Sequence, residues 1–163
     1  MKRIVLCCFI ISISILNGLE NKSTEKTEFK NGLGIAFSSM SGSGITYHRF
    51  LDDKLKVKFT NFMSLEKDGD KQQLRVIIGN EWDRYFYYSE ITNTFFFAGM
   101  ALDYDENKNE IDRTFRIGAG VGADIKLTNR IKLNFDLGYR YKTNLKKKAE
   151  LGLGVGFGIR AMY

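Results

Sequence analysis

The last stretch of the chain, Leu151 to Tyr163, reads L-G-L-G-V-G-F-G-I-R-A-M-Y and decides the fold. Every second residue from Leu151 onward is apolar or aromatic, and the residues between are four glycines, Arg160 and Met162. A period of two is that of a β-strand. At about 3.3 Å per residue and a tilt of about 45°, the apolar face spans roughly 28 Å, close to the apolar band of a membrane barrel. The sequence therefore predicts a strand that crosses a membrane.

Seven earlier segments carry the same alternation or a weaker form of it. Ile45 to Leu51 is the least regular, Asn61 interrupts the apolar face of the third segment and leaves room for a bulge, and Thr94 to Tyr104 is so apolar that its facing stays open. We predict eight strands: Asn31 to Met40, Ile45 to Leu51, Lys54 to Leu65, Gln72 to Trp82, Thr94 to Tyr104, Phe115 to Leu127, Arg130 to Lys142 and Leu151 to Tyr163.

Most of these segments are separated by short turn signals. Ser41-Gly42-Ser43-Gly44, Asp52-Asp53, Asp68-Gly69 and Thr128-Asn129 predict hairpin turns. Asp83 to Asn93 holds an aromatic cluster, Tyr85 to Tyr88, which we interpret as a connection at headgroup level, with a further short strand as the alternative. An even count joined by hairpins predicts an all-β fold, an eight-stranded antiparallel up-and-down transmembrane β-barrel.

Composition agrees with such a barrel. The 163 residues suit one domain, and 44% hydrophobic residues with a mean hydropathy of -0.25 are normal where half of each strand faces a polar interior. After the N-terminus, no window holds the 18 or more apolar residues of a membrane helix. The absence of proline and the 16 glycines favour long strands with tight turns.

The N-terminus indicates export. Lys2 and Arg3 precede an apolar run from Ile4 to Leu16, which predicts a signal peptide over 1–18, followed by a polar lead-in over 19–30 and the barrel over 31–163. Cys7 and Cys8 both lie in the signal, so the mature chain is expected to have no thiol or disulfide. Losing Lys2 and Arg3 lowers the net charge from +6 to +4, which does not indicate a nucleic-acid partner in an exported protein.

The alternating glycines indicate which face meets lipid. On a water-exposed face they would weaken the strand, whereas inside a narrow barrel they leave room for larger side chains of other strands. We expect these side chains to be Arg116, Lys132 and Arg140, neutralised by Asp124, Asp136, Glu81 and Glu150, because unpaired buried charge is costly. The opposite facing would indicate a secreted soluble lipid carrier.

The chain resembles the small eight-stranded outer-membrane barrels of the OmpX and OmpA transmembrane-domain type, over Asn31 to Tyr163. Its closing segment is similar to their assembly signal, a terminal aromatic preceded by alternate apolar residues, with Tyr163 in place of the commoner Phe. The resemblance implies location in the outer membrane of a Gram-negative-type bacterium, assembly by the barrel-assembly machinery through the last strand, contact with outer-membrane lipid and lipopolysaccharide, and a monomer.

Two outer-membrane enzyme families share this barrel size, the lipid A deacylases and the lipid A palmitoyltransferases. The deacylases place a histidine and a serine two residues apart, but the residue two beyond His48, the only histidine, is Phe50. No Asp-Ser pair fits the palmitoyltransferase pattern. Without a nucleophile beside a base, His48 is expected to be a polar lumen or rim residue, and no catalytic site is predicted.

Other ligand sites have equally weak support. Asp103, Asp105, Glu106 and Glu110 lie near one loop, but a solvated hairpin tip explains them better than a metal site. Gly118, Gly120 and Gly122 run along a strand and open no helix, so they predict no nucleotide site. Lys146 to Lys148 form a solubilising loop, with lipopolysaccharide phosphates as the alternative contact. No cofactor or metal is expected.

The sequence thus predicts a non-enzymatic outer-membrane barrel with a packed polar lumen and a structural or surface-interaction role. Three alternatives stay open: a narrow channel for small solutes, a lipid A-modifying enzyme and the secreted lipid carrier.

Overall fold

A computed structural model describes residues 29–68, 71–107, 110–144 and 147–163 as a closed barrel of eight antiparallel strands. The predicted signal peptide and nearly all of the lead-in lie outside these residues. Each strand pairs with the next along the chain, and the last closes the barrel on the first. The strands are β1 (Asn31–Ser38), β2 (Gly44–Phe50), β3 (Leu55–Asp68), β4 (Lys71–Tyr88), β5 (Thr92–Asn107), β6 (Glu110–Lys126), β7 (Ile131–Asn144) and β8 (Lys147–Met162).

The predicted barrel is confirmed, and one connection is corrected. Residues 83 to 88 are not an interfacial linker, because β4 continues to Tyr88 and a turn over Ser89 to Ile91 leads into β5. A register shift between Tyr85 and Tyr87 is what blurs the alternation there. Asn61 carries no bulge, since it pairs in register with Ile45 and Ile78. Within the described ranges, no helix has the length and apolar character needed to cross a membrane.

The barrel has two distinct ends. The terminal end holds the start of β1, the end of β8 and the turns around Asp52, Ser89 and Thr128. Side chains stabilise these turns: Asp52 Oδ1 accepts from the amides of Lys54 and Leu55, at 2.7 Å each, and Thr128 Oγ1 from those of Arg130 and Ile131, at 3.2 and 3.0 Å. The hairpin end holds the other four connections. The turns predicted at Asp52-Asp53 and Thr128-Asn129 therefore form as expected.

The wall of the barrel is uneven in height. β1 and β2 have 8 and 7 residues, whereas the other strands have 14 to 18. Pairing of β1 with β8 ends at Ser38 with Gly156, and pairing of β2 with β3 ends at Ile45 with Asn61. At the hairpin end, β3 and β8 therefore extend past their shorter neighbours.

The facing of the strands is as predicted. On β8, Leu153, Val155 and Phe157 are 69%, 62% and 55% exposed, while Gly154 is buried and Arg160 is 1% exposed. The structure also settles β5, whose Phe95 and Phe97 point into the lumen and are 0% and 3% exposed. The apolar surface lies outside and the charged residues lie inside, the inverse of a water-soluble barrel.

Candidate functional site

A layer of paired charges fills the middle of the lumen. Lys56 Nζ lies 2.9 Å from Asp83 Oδ2 and 3.4 Å from Asp124 Oδ2. Arg160 binds the same Asp124 with both terminal nitrogens, Nη1 donating to Oδ1 at 3.0 Å. A second group joins Lys58 to Glu81 and, at 3.7 Å, to Asp136. These side chains are almost fully buried, and the pairing offsets the cost of removing their charges from water.

The lumen holds acidic and basic side chains, as predicted, but they do not form the predicted pairs. Asp124 and Asp136 contact Arg160, Lys56 and Lys58, not the predicted Arg116, Lys132 and Arg140. Arg116 instead donates to Asp103 at 3.0 Å, and Glu150 is exposed. Alternation gives the face of a residue but not its height, which the stagger of tilted strands determines. Because residues 83 to 93 were interpreted as a linker, Asp83 and Tyr85 were not predicted as lumen residues. Both nevertheless continue the alternation of β4 from Glu81.

An aromatic layer closes the lumen at the terminal end. Its buried members are Phe50, Tyr85, Phe95, Phe97 and Met162, with Phe29 and Tyr88 packed against them. The rings of Tyr85 and Phe95 have centroids 5.2 Å apart, and the Tyr85 hydroxyl donates to Asp124. Lys56 Nζ lies 4.9 Å from the centroid of the Phe95 ring, which joins the aromatic layer to the charged layer.

The connection from β1 to β2 folds inward. We call Ser39 to Ser43 the plug loop, because Met40 and Ser41 in its centre are 0% and 1% exposed. The sequence predicted a turn over Ser41 to Gly44, but it wrongly placed Met40 at the end of the first strand, which stops at Ser38, and gave no sign that this connection enters the barrel. Met40 packs into the same buried cluster as the aromatic layer.

Glycines on four strands form the seat of the plug loop. An added Cβ at Gly79 on β4 would lie 1.8 Å from the Ser41 carbonyl oxygen, and at Gly99 on β5, 3.0 Å from Ser41 Cβ. At Gly118 on β6 it would lie 2.7 Å from Met40 Cβ, and at Gly154 on β8, 2.5 Å from Met40 Cγ. These glycines make room mainly for the loop, whereas the sequence prediction had the glycines of β8, Gly154 among them, make room for basic side chains.

Serines fix the plug loop to the barrel. Ser38 Oγ accepts from the amides of Met40 and Ser41, at 3.2 Å each. Ser39 Oγ accepts from the Val155 amide at 2.9 Å and donates to the Val155 carbonyl at 3.1 Å. Gly42, at φ 94°, takes a conformation that side chains disfavour and turns the chain back to β2. The inserted conformation is therefore held at both ends.

No protein-family model matches the sequence, and no curated protein sequence does. Two solved structures are similar. Neisserial surface protein A (NspA) matches with a TM-score of 0.49 and 18% identity, over 82% of this chain and 95% of that chain. Ail, the attachment invasion locus protein of Yersinia pestis, matches with a TM-score of 0.43 and 12% identity, over 82% of this chain and 97% of that chain. The strand pairing of this chain by itself shows the fold, a closed barrel of eight antiparallel strands.

In this barrel, the residues weighed for chemistry are separated or already bonded. His48 is 1% exposed, and its Nε2 lies 2.9 Å from Thr46 Oγ1, while Phe50 belongs to the aromatic layer. Asp103 holds Arg116, Asp105 accepts from Gln73 Nε2 at 3.1 Å, and Glu106 accepts from the Tyr104 hydroxyl at 2.8 Å. Among the described residues, no three acidic, histidine or cysteine side chains are grouped to hold a metal. The side chains of Glu110 and of Lys146 to Lys148 lie outside the described part.

Proposed function

We propose that this protein is a non-enzymatic integral barrel of the outer membrane of a Gram-negative-type bacterium, with a structural or surface-interaction role. One observation supports this most: the outer surface is apolar, while the lumen holds an aromatic layer, a paired charged layer and the plug loop. Hydrocarbon outside stabilises the exposed leucines and phenylalanines. Between the terminal end and the last paired residues of β1 and β2, every strand is paired on both sides, as a membrane span requires.

In the proposed orientation, the terminal end faces the periplasm. Barrels of this class have short periplasmic turns, which the turns at Asp52, Ser89 and Thr128 resemble. The hairpin end then faces the cell exterior. The last strand and the Tyr163 that follows it serve the barrel-assembly machinery, and the barrel is a monomer.

The filled lumen favours a structural barrel over the narrow channel. To conduct, the plug loop would have to leave its glycine seat and the ion pairs of Lys56 and Lys58 would have to separate. Planar-bilayer recordings of the purified protein should show no persistent open level. A steady conductance would support the channel instead.

Location is tested by membrane fractionation and an unboiled gel. The protein should stay with the outer-membrane fraction after a carbonate wash, and its mobility should change on boiling because the folded barrel resists detergent. Recovery in the soluble fraction without detergent would support the secreted carrier.

The enzyme alternative has its own test. His48→Ala should leave the lipid A species of an expressing strain unaltered, because His48 is enclosed and its neighbour two residues on is Phe50. A His48-dependent change in lipid A acylation would contradict the non-enzymatic proposal.

A further inference from the structure

Three inward-facing arginines surround one carboxylate on the hairpin-end side of the plug loop. Arg75 on β4 and Arg116 on β6 both direct Nη2 at Asp103 Oδ2 on β5, at 3.8 and 3.0 Å. Arg140 on β7 pairs with Gly118, so it lies diagonal to Arg116 on the same face of the sheet, where long side chains come within reach of each other. We call these three arginines and Asp103 the arginine cluster.

The cluster carries more positive charge than its surroundings neutralise. Three guanidinium groups against one carboxylate leave two positive charges. The carboxylates at the next level toward the hairpin end, Asp105 and Asp112, lie opposite each other and accept from the amides of Gln73 and Asn144. Among the described residues, neither carboxylate forms an ion pair with an arginine of the cluster. The excess charge is therefore open to an anion.

Arg140 is the member whose side chain has no partner in the part of the chain that the structure describes. Its guanidinium forms no ion pair or hydrogen bond there, and its Nε is buried and unbonded. Glu150, on the neighbouring strand, is exposed and forms no ion pair with it. Arg116 Nε is also buried without an acceptor. Unpaired charged donors in a lumen are costly, so an anion that meets them binds favourably.

Room for such an anion lies beside Arg140. Its cross-strand partner is Gly152 on β8, and an added Cβ at Gly152 would meet nothing within 4 Å. The plug loop forms the floor of this space, since a Cβ at Gly154, the next inward-facing residue, would meet Met40. Strand β1 ends below this level. The space therefore opens toward the cell exterior in the proposed orientation.

The cluster lies at the outer border of the membrane in that orientation. Arg116 is ten residues from Lys126 at the terminal end of β6, which at about 3.3 Å per residue and a tilt of about 45° amounts to roughly 23 Å. The apolar band of such barrels is about 25 Å tall. Tyr104 and Tyr141 face outward near this height, as aromatic residues do at a membrane interface. The phosphates of lipopolysaccharide and the aqueous exterior meet at this border.

From this charge, space and level, and resting on the proposed function, we infer that the arginine cluster binds a phosphate group at the outer face of the membrane. Guanidinium forks suit phosphate oxygens, and two positive charges match a group that carries about −1.5 to −2 at neutral pH. Asp103 Oδ1 is buried and has no donor among the described residues. A P–OH group can donate to it, whereas sulfate has no proton at neutral pH. The cluster therefore favours phosphate over sulfate.

Isothermal titration calorimetry of the detergent-purified mature chain tests this with inorganic phosphate, sulfate and acetate. Wild type should bind one phosphate, and it should bind sulfate and acetate at least about tenfold more weakly. Arg140→Gln should weaken phosphate binding by about tenfold or more, since a charge-assisted hydrogen bond is lost. The matched control is Arg113→Gln, which removes an exposed arginine of the same end that lies over the Tyr104 ring. It should leave the affinity unchanged.

Two further changes leave the three arginines in place. Asp103→Asn should let sulfate bind about as well as phosphate, because an amide can donate where the carboxylate only accepts. Gly152→Glu places a carboxylate beside Arg140 and should weaken phosphate binding more than Gly152→Gln, which has the same size but no charge. Heat-dependent gel mobility confirms that each variant is folded. Equal affinity for phosphate and acetate, or wild-type affinity in Arg140→Gln and Gly152→Glu, would overturn the inference.

Lipid A distinguishes the two sources of phosphate. Native mass spectrometry compares retention of bisphosphorylated lipid A with that of its dephosphorylated form. Preferential retention of the phosphorylated form by wild type, lost in Arg140→Gln, would assign the site to the leaflet. Binding of inorganic phosphate without lipid A would assign it to dissolved phosphate. Binding of neither would overturn the inference, and a barrel that still fractionates with the outer membrane would leave the proposed function intact.

Discussion

Seating of the plug loop depends on Gly79, and replacing it with alanine tests the loop directly. The new Cβ would lie 1.8 Å from the Ser41 carbonyl oxygen, which belongs to the backbone of a loop held at both ends. No rotamer change relieves that overlap. The loop must leave its seat, or β4 must move away from it.

The magnitude follows from the packing that the new methyl group disturbs. Forcing a methyl group into a packed interior costs about 1–3 kcal/mol. If the loop leaves, the burial of Met40 is also lost, and that side chain contributes roughly 1.5–3 kcal/mol when buried. Gly79→Ala should therefore lower the free energy of unfolding by about 2–3 kcal/mol.

Gly152→Ala is the matched control. Gly152 lies on the inward face of β8, but an added Cβ there would meet nothing within 4 Å. The same chemical change should be neutral, or stabilise by about 0.4–1 kcal/mol because alanine restricts the unfolded chain. The two variants should thus differ by about 2–4 kcal/mol.

Urea titration in phospholipid vesicles measures both variants, with folded barrel followed by unboiled gels and by the fluorescence of Trp82, the single tryptophan. Thiol labelling of a Ser41→Cys background shows where the loop is, since Ser41 is 1% exposed and the predicted mature chain has no other cysteine. Labelling should be slow in this background and fast once Gly79→Ala is added. Equal stability of Gly79→Ala and Gly152→Ala, with no change in labelling, would refute the inserted loop.

Three further predictions concern the lumen and the outer surface. Met40→Ala should destabilise the barrel by about 2–5 kcal/mol, whereas Met63→Ala should cost much less because the Met63 side chain is 68% exposed. Urea midpoints in vesicles compare the two variants, and equal losses of stability would place Met40 outside the core. Asp124→Asn should cost about 3–5 kcal/mol because Arg160 and Lys56 lose their shared carboxylate, while Asp53→Asn in an exposed turn should change stability by less than about 0.5 kcal/mol. Val155→Arg should cost about 2–4 kcal/mol in vesicles if it faces the bilayer midplane, and a neutral result would contradict the facing of β8.

The sequence by itself determined the architecture. Alternation over Leu151 to Tyr163 and its weaker copies specified eight strands, and four alternate glycines with Arg160 on β8 specified which face points inward. A period of two is local information, because each residue's face follows from its neighbours in the chain. The alternation of β4 continues through Glu81, Asp83 and Tyr85. The sequence could therefore have predicted that β4 extends past Trp82, with a register shift before Tyr87.

Only the tertiary structure decided what fills the lumen and where the wall is open. Pairing of Asp124 with Arg160, and of Asp103 with Arg116, depends on the stagger between tilted strands, which no single strand encodes. The inward course of Met40 depends on glycines from four strands that are up to about 75 positions apart in the chain, at Gly79, Gly99, Gly118 and Gly154. The wall is lower at β1 and β2 because these strands are short beside long neighbours. Such features arise from contacts between distant segments, so they take shape only when the barrel closes.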